Sequence, residues 1–159
     1  MKTSAPKFLR RPAVDLLLFG LVFLMASCTS APQNIGPING RLRPCPPTPN
    51  CVCSEGDEDS SSWIAPLLYQ GPPELAWQRL KGVVREAGGH IEEERTDYLR
   101  ATFTSKIFRF RDDVEFRLAP GEGILHVRSA SRLGYFDFGV NRKRVEKLRR
   151  MLETASGGD

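Results

Sequence analysis

The chain holds 159 residues with 23 Lys and Arg against 19 Asp and Glu, a length that suits one domain rather than two. Its 40% hydrophobic, 26% charged and 9% aromatic residues are the proportions of a globular protein, and they exclude wholesale disorder, collagen-like repeats and a multi-pass membrane protein. Residues 1–27 carry four of the bases and one of the acids, which leaves 19 against 18 and a net charge of +1, too small an excess for a nucleic-acid-binding stripe.

The N-terminus has an export pattern and is set apart from the fold. Lys2, Lys7, Arg10 and Arg11 precede Asp15 and the apolar run Leu16–Ala26. Its eleven residues suffice for the core of a signal peptide and fall short of the roughly 20 that a membrane-spanning helix needs. The run closes on Leu24-Met25-Ala26-Ser27-Cys28, which resembles the lipobox of bacterial lipoprotein signal peptides. That resemblance implies cleavage after Ser27 and diacylation of Cys28. Met25 departs from the aliphatic or small residue favoured three places before the Cys, and Leu24 beside it supplies the apolar side chain. Two acyl chains, at about 0.8 kcal/mol per buried CH₂, anchor a protein stably. Thr29, where inner-membrane lipoproteins commonly carry Asp, favours the outer membrane, with the domain facing the periplasm of the cell envelope.

Residues 28–62 are rich in Pro, Ser and acid, show no periodicity and are expected to form a tether. Ala31-Pro32, Gly36-Pro37 and Asn39-Gly40 punctuate them as turns. A calcium loop counted from Asp57 would place Ser62 where Gly is needed and Leu68 where a carboxylate is needed, so the acidic run is read as a solvated loop. Within the tether lies Cys45-Pro46-Pro47-Thr48-Pro49-Asn50-Cys51-Val52-Cys53. Export favours a disulfide, and the lack of a C-x-x-C pair or a His-x-x-x-His partner argues against zinc. Pro49-Asn50 favours a tight turn that brings Cys45 back beside Cys51, leaving Cys53 as the odd thiol.

The domain is expected over 63–155. Pro72-Pro73 opens a helix with Ala76, Leu80, Val83, Val84 and Ala87 on one face, and Gly88-Gly89 ends it. His90–Arg95 and Tyr98–Ser105 read as strands, the second alternating Leu99, Ala101 and Phe103 with Arg100, Thr102 and Thr104. Phe108, Phe110, Val114, Phe116 and Leu118 then alternate with Arg109, Arg111, Asp113, Glu115 and Arg117, with Asp112 expected to mark a bulge or bend. Pro120–Gly123 turns the chain into Ile124–Ser129, and a helix from about Gly139 carries Val140, Val145, Leu148 and Leu152 inward. The fold class is α+β, an antiparallel sheet of about four strands with two helices packed on one face and solvent on the other.

Cys45-Pro-Pro-Thr-Pro-Asn-Cys-Val, Ile64-Ala-Pro with Tyr69, Ala101-Thr-Phe-Thr-Ser, Phe108-Arg-Phe-Arg-Asp-Asp-Val-Glu-Phe, and above all Val127-Arg-Ser-Ala-Ser-Arg-Leu-Gly-Tyr-Phe-Asp-Phe-Gly-Val-Asn-Arg-Lys-Arg occur in that order. Together they resemble the domain-of-unknown-function 1499 family over residues 45–150. The resemblance implies an envelope or organelle-associated module and assigns it no chemistry. Cys53 stands where the family pattern has Ser, so its thiol belongs to this chain rather than to a shared nucleophile.

On the polar face Arg100, Arg109, Glu115, Arg117, His126 and Arg128 are expected together, either as a cross-strand ladder of ion pairs or as a ligand surface. Arg128, Arg132 and Arg142 are candidates to clamp an anion near a helix N-terminus. The competing arrangement has Asp137 capping that helix, the arginines paired with Asp112, Asp113 and Glu115, and Tyr135 and Phe136 pinning the loop to the core. An enzyme would use Cys53, Ser105, Ser129 or Ser131 with His126 as base, yet no nucleophile elbow, metal-ligand pair or phosphate loop supports one, and no cofactor is implied. The reading that needs least is a non-catalytic binding or structural module, held to the membrane by its lipid and facing an anionic envelope ligand or an envelope protein.

Overall fold

A computed structural model describes residues 34–105 and 109–156 of the chain. The expected signal segment, Cys28 as the expected lipidation residue, and Phe108 lie outside the described residues. The elements in chain order are β1 (Cys51–Cys53), β2 (Leu67–Leu68), α1 (Pro73–Glu86), β3 (His90–Glu94), β4 (Tyr98–Thr104), β5 (Arg111–Ala119), β6 (Ile124–Ser131) and α2 (Val140–Ser156). The architecture is α+β with both helices on one face of an antiparallel sheet, and the sheet has six strands where about four are expected. Its order is β1-β6-β5-β4-β3, with β2 also paired to β6. The two additional strands are three and two residues long, too short for an alternation to show in sequence.

Proline at the first helical position starts α1, which buries Ala76, Trp77, Leu80, Val83 and Val84. The chain leaves α1 through Gly88, in the left-handed region at φ +94°, and a Cβ on the next residue, Gly89, would lie 2.7 Å from the Phe103 ring. Only glycine lets the helix end that close to the sheet. Alternate strand residues Leu99, Ala101, Phe103, Val114, Phe116, Leu118, Leu125 and Val127 meet Leu80 and Val84 of α1 and Val145, Leu148 and Leu152 of α2 in one continuous core. Val140, expected inward, is exposed at the start of α2, and Asn141 takes the buried position instead.

Asp112 makes no bulge. It pairs in register with both Phe103 and Ser131, faces the helix side and meets Arg144 of α2, so the pattern changes character there without breaking. The irregularity lies in β3, between Ile91 and Glu93, and it sets both Glu92, beside Thr102, and Glu93, beside Arg100, on the face away from the helices. Strand β5 begins at Arg111; Phe110 and Arg109 precede it, the latter at φ +57°.

The second face of the sheet is covered rather than left to solvent. Over its described part, residues 34–62, the expected tether packs into the domain: it supplies β1, buries Leu42 against Cys53 and Tyr98, and sets Ile35, Gly36 and Leu42 across the polar strand residues. Backbone groups cause the cover. Gly36 N–H donates to Glu115 of β5 at 2.7 Å and Leu42 N–H to Glu55, just past β1, at 2.6 Å, so one carboxylate from the sheet and one from the covering segment itself satisfy the strap's backbone.

Candidate functional site

Under the strap, cross-strand register sets charge against charge. Arg128 and Glu115 are directly opposed on β6 and β5, their side chains almost wholly buried, with Nη1 2.7 Å from Oε2. Glu115 also accepts the Tyr98 hydroxyl at 2.8 Å, and burial followed by the facing carboxylate pushes that phenol far above its ordinary range. Arg132 holds Asp113 through two hydrogen bonds of 2.8 and 2.9 Å, a paired geometry that fixes the guanidinium plane. Arg100 stands 3.5 Å from the same carboxylate. The ladder expected from the alternation is present, except that Arg109 lies outside the strands.

A cavity of about 230 Å³ opens at the β1 end of this ladder, lined by Asn34, Thr48, Asn50, Arg128, Arg132 and Gly134 among others. Arg128 lines it, as does Asp113, and the Nε atoms of Arg128 and Arg100 are buried without a hydrogen-bond partner among the described residues. Buried guanidinium N–H groups are rarely left so, because an unmade hydrogen bond to a charged donor is costly. Arg142 is not part of this group. It donates to the carbonyls of Ser61 and Trp63 and lines a separate cavity of about 430 Å³ on the other side of the 45–51 loop, with Pro47, Pro49 and Phe136.

That loop is closed by a disulfide between Cys45 and Cys51, with Cα atoms 5.6 Å apart. Asn50 within it donates from Nδ2 to Gly134 O at 2.5 Å and so ties the loop to the chain beyond β6. Cys53 is free and buried under the strap; burial pushes its thiol up, and its sulfur contacts the carbonyls of Arg43 and Glu55.

The structure gives His126 two neighbours that the sequence reading missed. Ser54 Oγ lies 3.2 Å from Nδ1, and Glu55 Oε1 is 3.8 Å from Nε2. Their adjacency in sequence to the free cysteine was the only available signal, because the bend after β1 that folds them back onto β6 lies in the segment expected to be a tether. The trio has the order of a Ser–His–acid relay, yet its local bonds are structural: Ser54 accepts the Val127 N–H at 2.8 Å, and neither Ser54 nor His126 lines the cavities described here. Desolvation opposes the Glu55 charge, but Arg117, the Leu42 N–H and His126 outweigh it and hold the carboxyl below its ordinary value. Desolvation likewise lowers His126, against the pull of Glu55. The other candidate nucleophiles are not brought to His126. Ser129 and Ser131 face the helices and bond Asn141, while Ser105 accepts the Phe110 N–H beyond the end of β4.

Asp137 caps α2. Its carboxylate accepts the N–H groups of Gly139 and Asn141, and these bonds hold it below the usual carboxylate range against the effect of desolvation. Asn141 is fully buried and binds Asn50 O, Ser131 Oγ, Asp137 and Ser129, a hub joining the disulfide loop, β6 and α2. Tyr135 and Phe136 do not pin the loop to the core; both are exposed. No group of three or more metal-ligating side chains occurs among the described residues.

Residues 41–152, more than two thirds of the chain, match the protein-family model described as "Protein of unknown function (DUF1499)". No curated protein matches the chain.

Proposed function

The chain belongs to the DUF1499 family, and from that premise we propose that it is a lipid-anchored envelope protein whose domain is a non-catalytic binding module for a small anionic ligand. The observation that carries the ligand reading is the cavity that Arg128 and Arg132 line together, two guanidinium groups on one wall. A carboxylate or phosphate oxygen is the acceptor that such donors favour. Asn50 and Thr48 supply neutral polar groups beside it, as small-ligand sites commonly do. The anchoring reading is supported by the positive N-terminus, the short apolar run and the Ala26-Ser27-Cys28 junction. The outer membrane is favoured by Thr29.

Two measurements test the two parts. Mass spectrometry of the protein from bacterial membranes is expected to find a diacylated Cys28 at the N-terminus; a protein beginning at Met1, or released as soluble after cleavage elsewhere, ends the anchoring reading. For the ligand, phosphate, dicarboxylates and glycerol phosphate are each titrated while the melting temperature is followed. At least one should raise it in the parent and fail to do so in Thr48→Val and Arg132→Ala. A parent indifferent to all three removes the anion site, and an Arg132→Ala chain that melts several degrees lower while still responding to the anion makes Arg132 architecture only.

A further inference from the structure

The segment between β6 and α2 exposes more hydrocarbon than the fold requires. Tyr135 is 71% exposed, Phe136 55% and Phe138 79%, and the two Phe rings stack edge to face with centroids 5.1 Å apart. Single exposed apolar residues are ordinary, but a contiguous aromatic cluster on one loop marks an interaction surface. Phe138 also sits at φ +55°, a conformation that a bulky side chain rarely adopts and that costs about 1–2 kcal/mol. The fold thus holds an unburied ring outward in a strained backbone.

We propose that this loop docks on an anionic lipid surface, with Tyr135, Phe136 and Phe138 entering the head-group region and the exposed Lys143, whose ammonium lies beside the Phe138 carbonyl, meeting the lipid phosphates. The charge distribution fits that occupant. The loop's acid, Asp137, is turned inward as the helix cap, and the first turn of α2 has no acidic residue although acids are the favoured residues there. Aromatic rings beside Lys and Arg are what an interfacial element presents to a bilayer. The position of the chain's anchor end fits too. Asn34 and Gly134 line one cavity, and Cys28 is six residues before Asn34, a stretch that spans at most about 20 Å. On the anchoring reading, on which this inference rests, the loop that follows β6 is held close to the membrane. Leu68, paired with Ile124 at the other end of β6, is roughly 24 Å away along the strand.

The test uses the full chain, lipidated in bacteria and reconstituted into phosphatidylethanolamine and phosphatidylglycerol vesicles containing a brominated lipid. Phe138→Trp and Leu68→Trp each add one reporter at an exposed position to the common background of Trp63 and Trp77. The inference expects both variants to float with the vesicles and the added emission of Phe138→Trp to be quenched at least about twofold more than that of Leu68→Trp. Floating with equal quenching overturns the inference alone. A chain that does not float overturns the anchoring reading and this inference with it, since the short reach that aims the loop at the bilayer is then gone.

Discussion

Alternate residues of the same four strands build the two faces of the sheet, yet one face is filled with hydrocarbon and the other with charge. On the helix side Val114, Phe116 and Leu118 pack against side chains whose positions recur with helical period. On the strap side Asp113, Glu115 and Arg117 are answered by Arg132, Arg128 and Glu55, and the cover is a segment whose one strand is the three-residue β1. The difference teaches that burial here follows from two separate mechanisms. Apolar area removed from water drives the first, whereas the second depends on every charge finding its partner beneath a strap tied down through its own backbone N–H groups.

The sharpest way to break that comparison is to treat neighbouring residues of β5 alike. Phe116→Ala leaves a cavity in the helix-side core and is expected to cost about 3–5 kcal/mol in urea unfolding. Glu115→Leu should cost a similar amount for a different reason, because it strands Arg128 as an uncompensated buried charge. The pair Glu115→Leu with Arg128→Met should recover the part of that loss due to the stranded charge, though not the part due to the Gly36 N–H and the Tyr98 hydroxyl left without their acceptor, while no single polar substitution recovers Phe116→Ala. If the double variant is as unstable as the sum of its single changes, the strap face is held by packing and not by charge pairing.

The helix-side face was legible in sequence and the cover of the other face was not. The Ala76, Leu80, Val83 spacing and the Leu99, Ala101, Phe103 alternation each repeat over several turns or pleats, so periodicity alone located them. The charges at Glu115, Arg117 and Arg128 were equally visible, but their burial depends on Gly36 and Leu42 donating backbone N–H groups, and a backbone donor leaves no mark on residue identity. Strands β1 and β2 failed to show for the same reason, since three and two residues carry no period. At the candidate site, Arg128 and Arg132 were found because Ser, Arg and Gly crowd the segment between a strand and the last helix; Arg128 lies on β6 and Arg132 just past its end. Arg142 looked equivalent in sequence, yet the turn of α2 sends it to the far side of the disulfide loop. Ser54 and Glu55 could be linked to His126 only across sequence separations of 72 and 71 residues, which no local pattern encodes.

A smaller effect separates the two ends of the strap face by pH. Glu55 is surrounded by Arg41, Arg117, His126 and the Leu42 N–H, and His126 by Glu55, Arg117, Glu122 and Arg41. Both groups have folded-state pKa values below their ordinary ones of 4.5 and 6.5. Each therefore stabilises the fold above its ordinary value and gives that up as pH falls through the folded value, His126 first and Glu55 after it. The melting temperature should fall in two steps on acidification from about pH 7. His126→Gln removes the upper step and Glu55→Gln the lower one. A protein that melts higher as His126 protonates would mean that Glu55, and not desolvation, governs the imidazole.

The smallest stability change is expected where the consequence for function is largest. Phe138 differs from every aromatic in the helix-side core, since Phe103 and Phe116 are buried with the helices over them whereas Phe138 is exposed and meets Phe136 edge to face. Replacing it by Asn, which tolerates positive φ, relieves about 1 kcal/mol of backbone strain and gives up an edge-to-face contact of about 0.5–1 kcal/mol. The two nearly cancel, so thermal unfolding of Phe138→Asn should match the parent to within about 0.5 kcal/mol. The same substitution in a core ring would unfold much of the population. If Phe138→Asn destabilises the domain as a core substitution does, the ring is held by packing and the loop belongs to the fold. If stability is kept and the vesicle contact is lost, the strain at Phe138 is retained for what the ring does outside the protein.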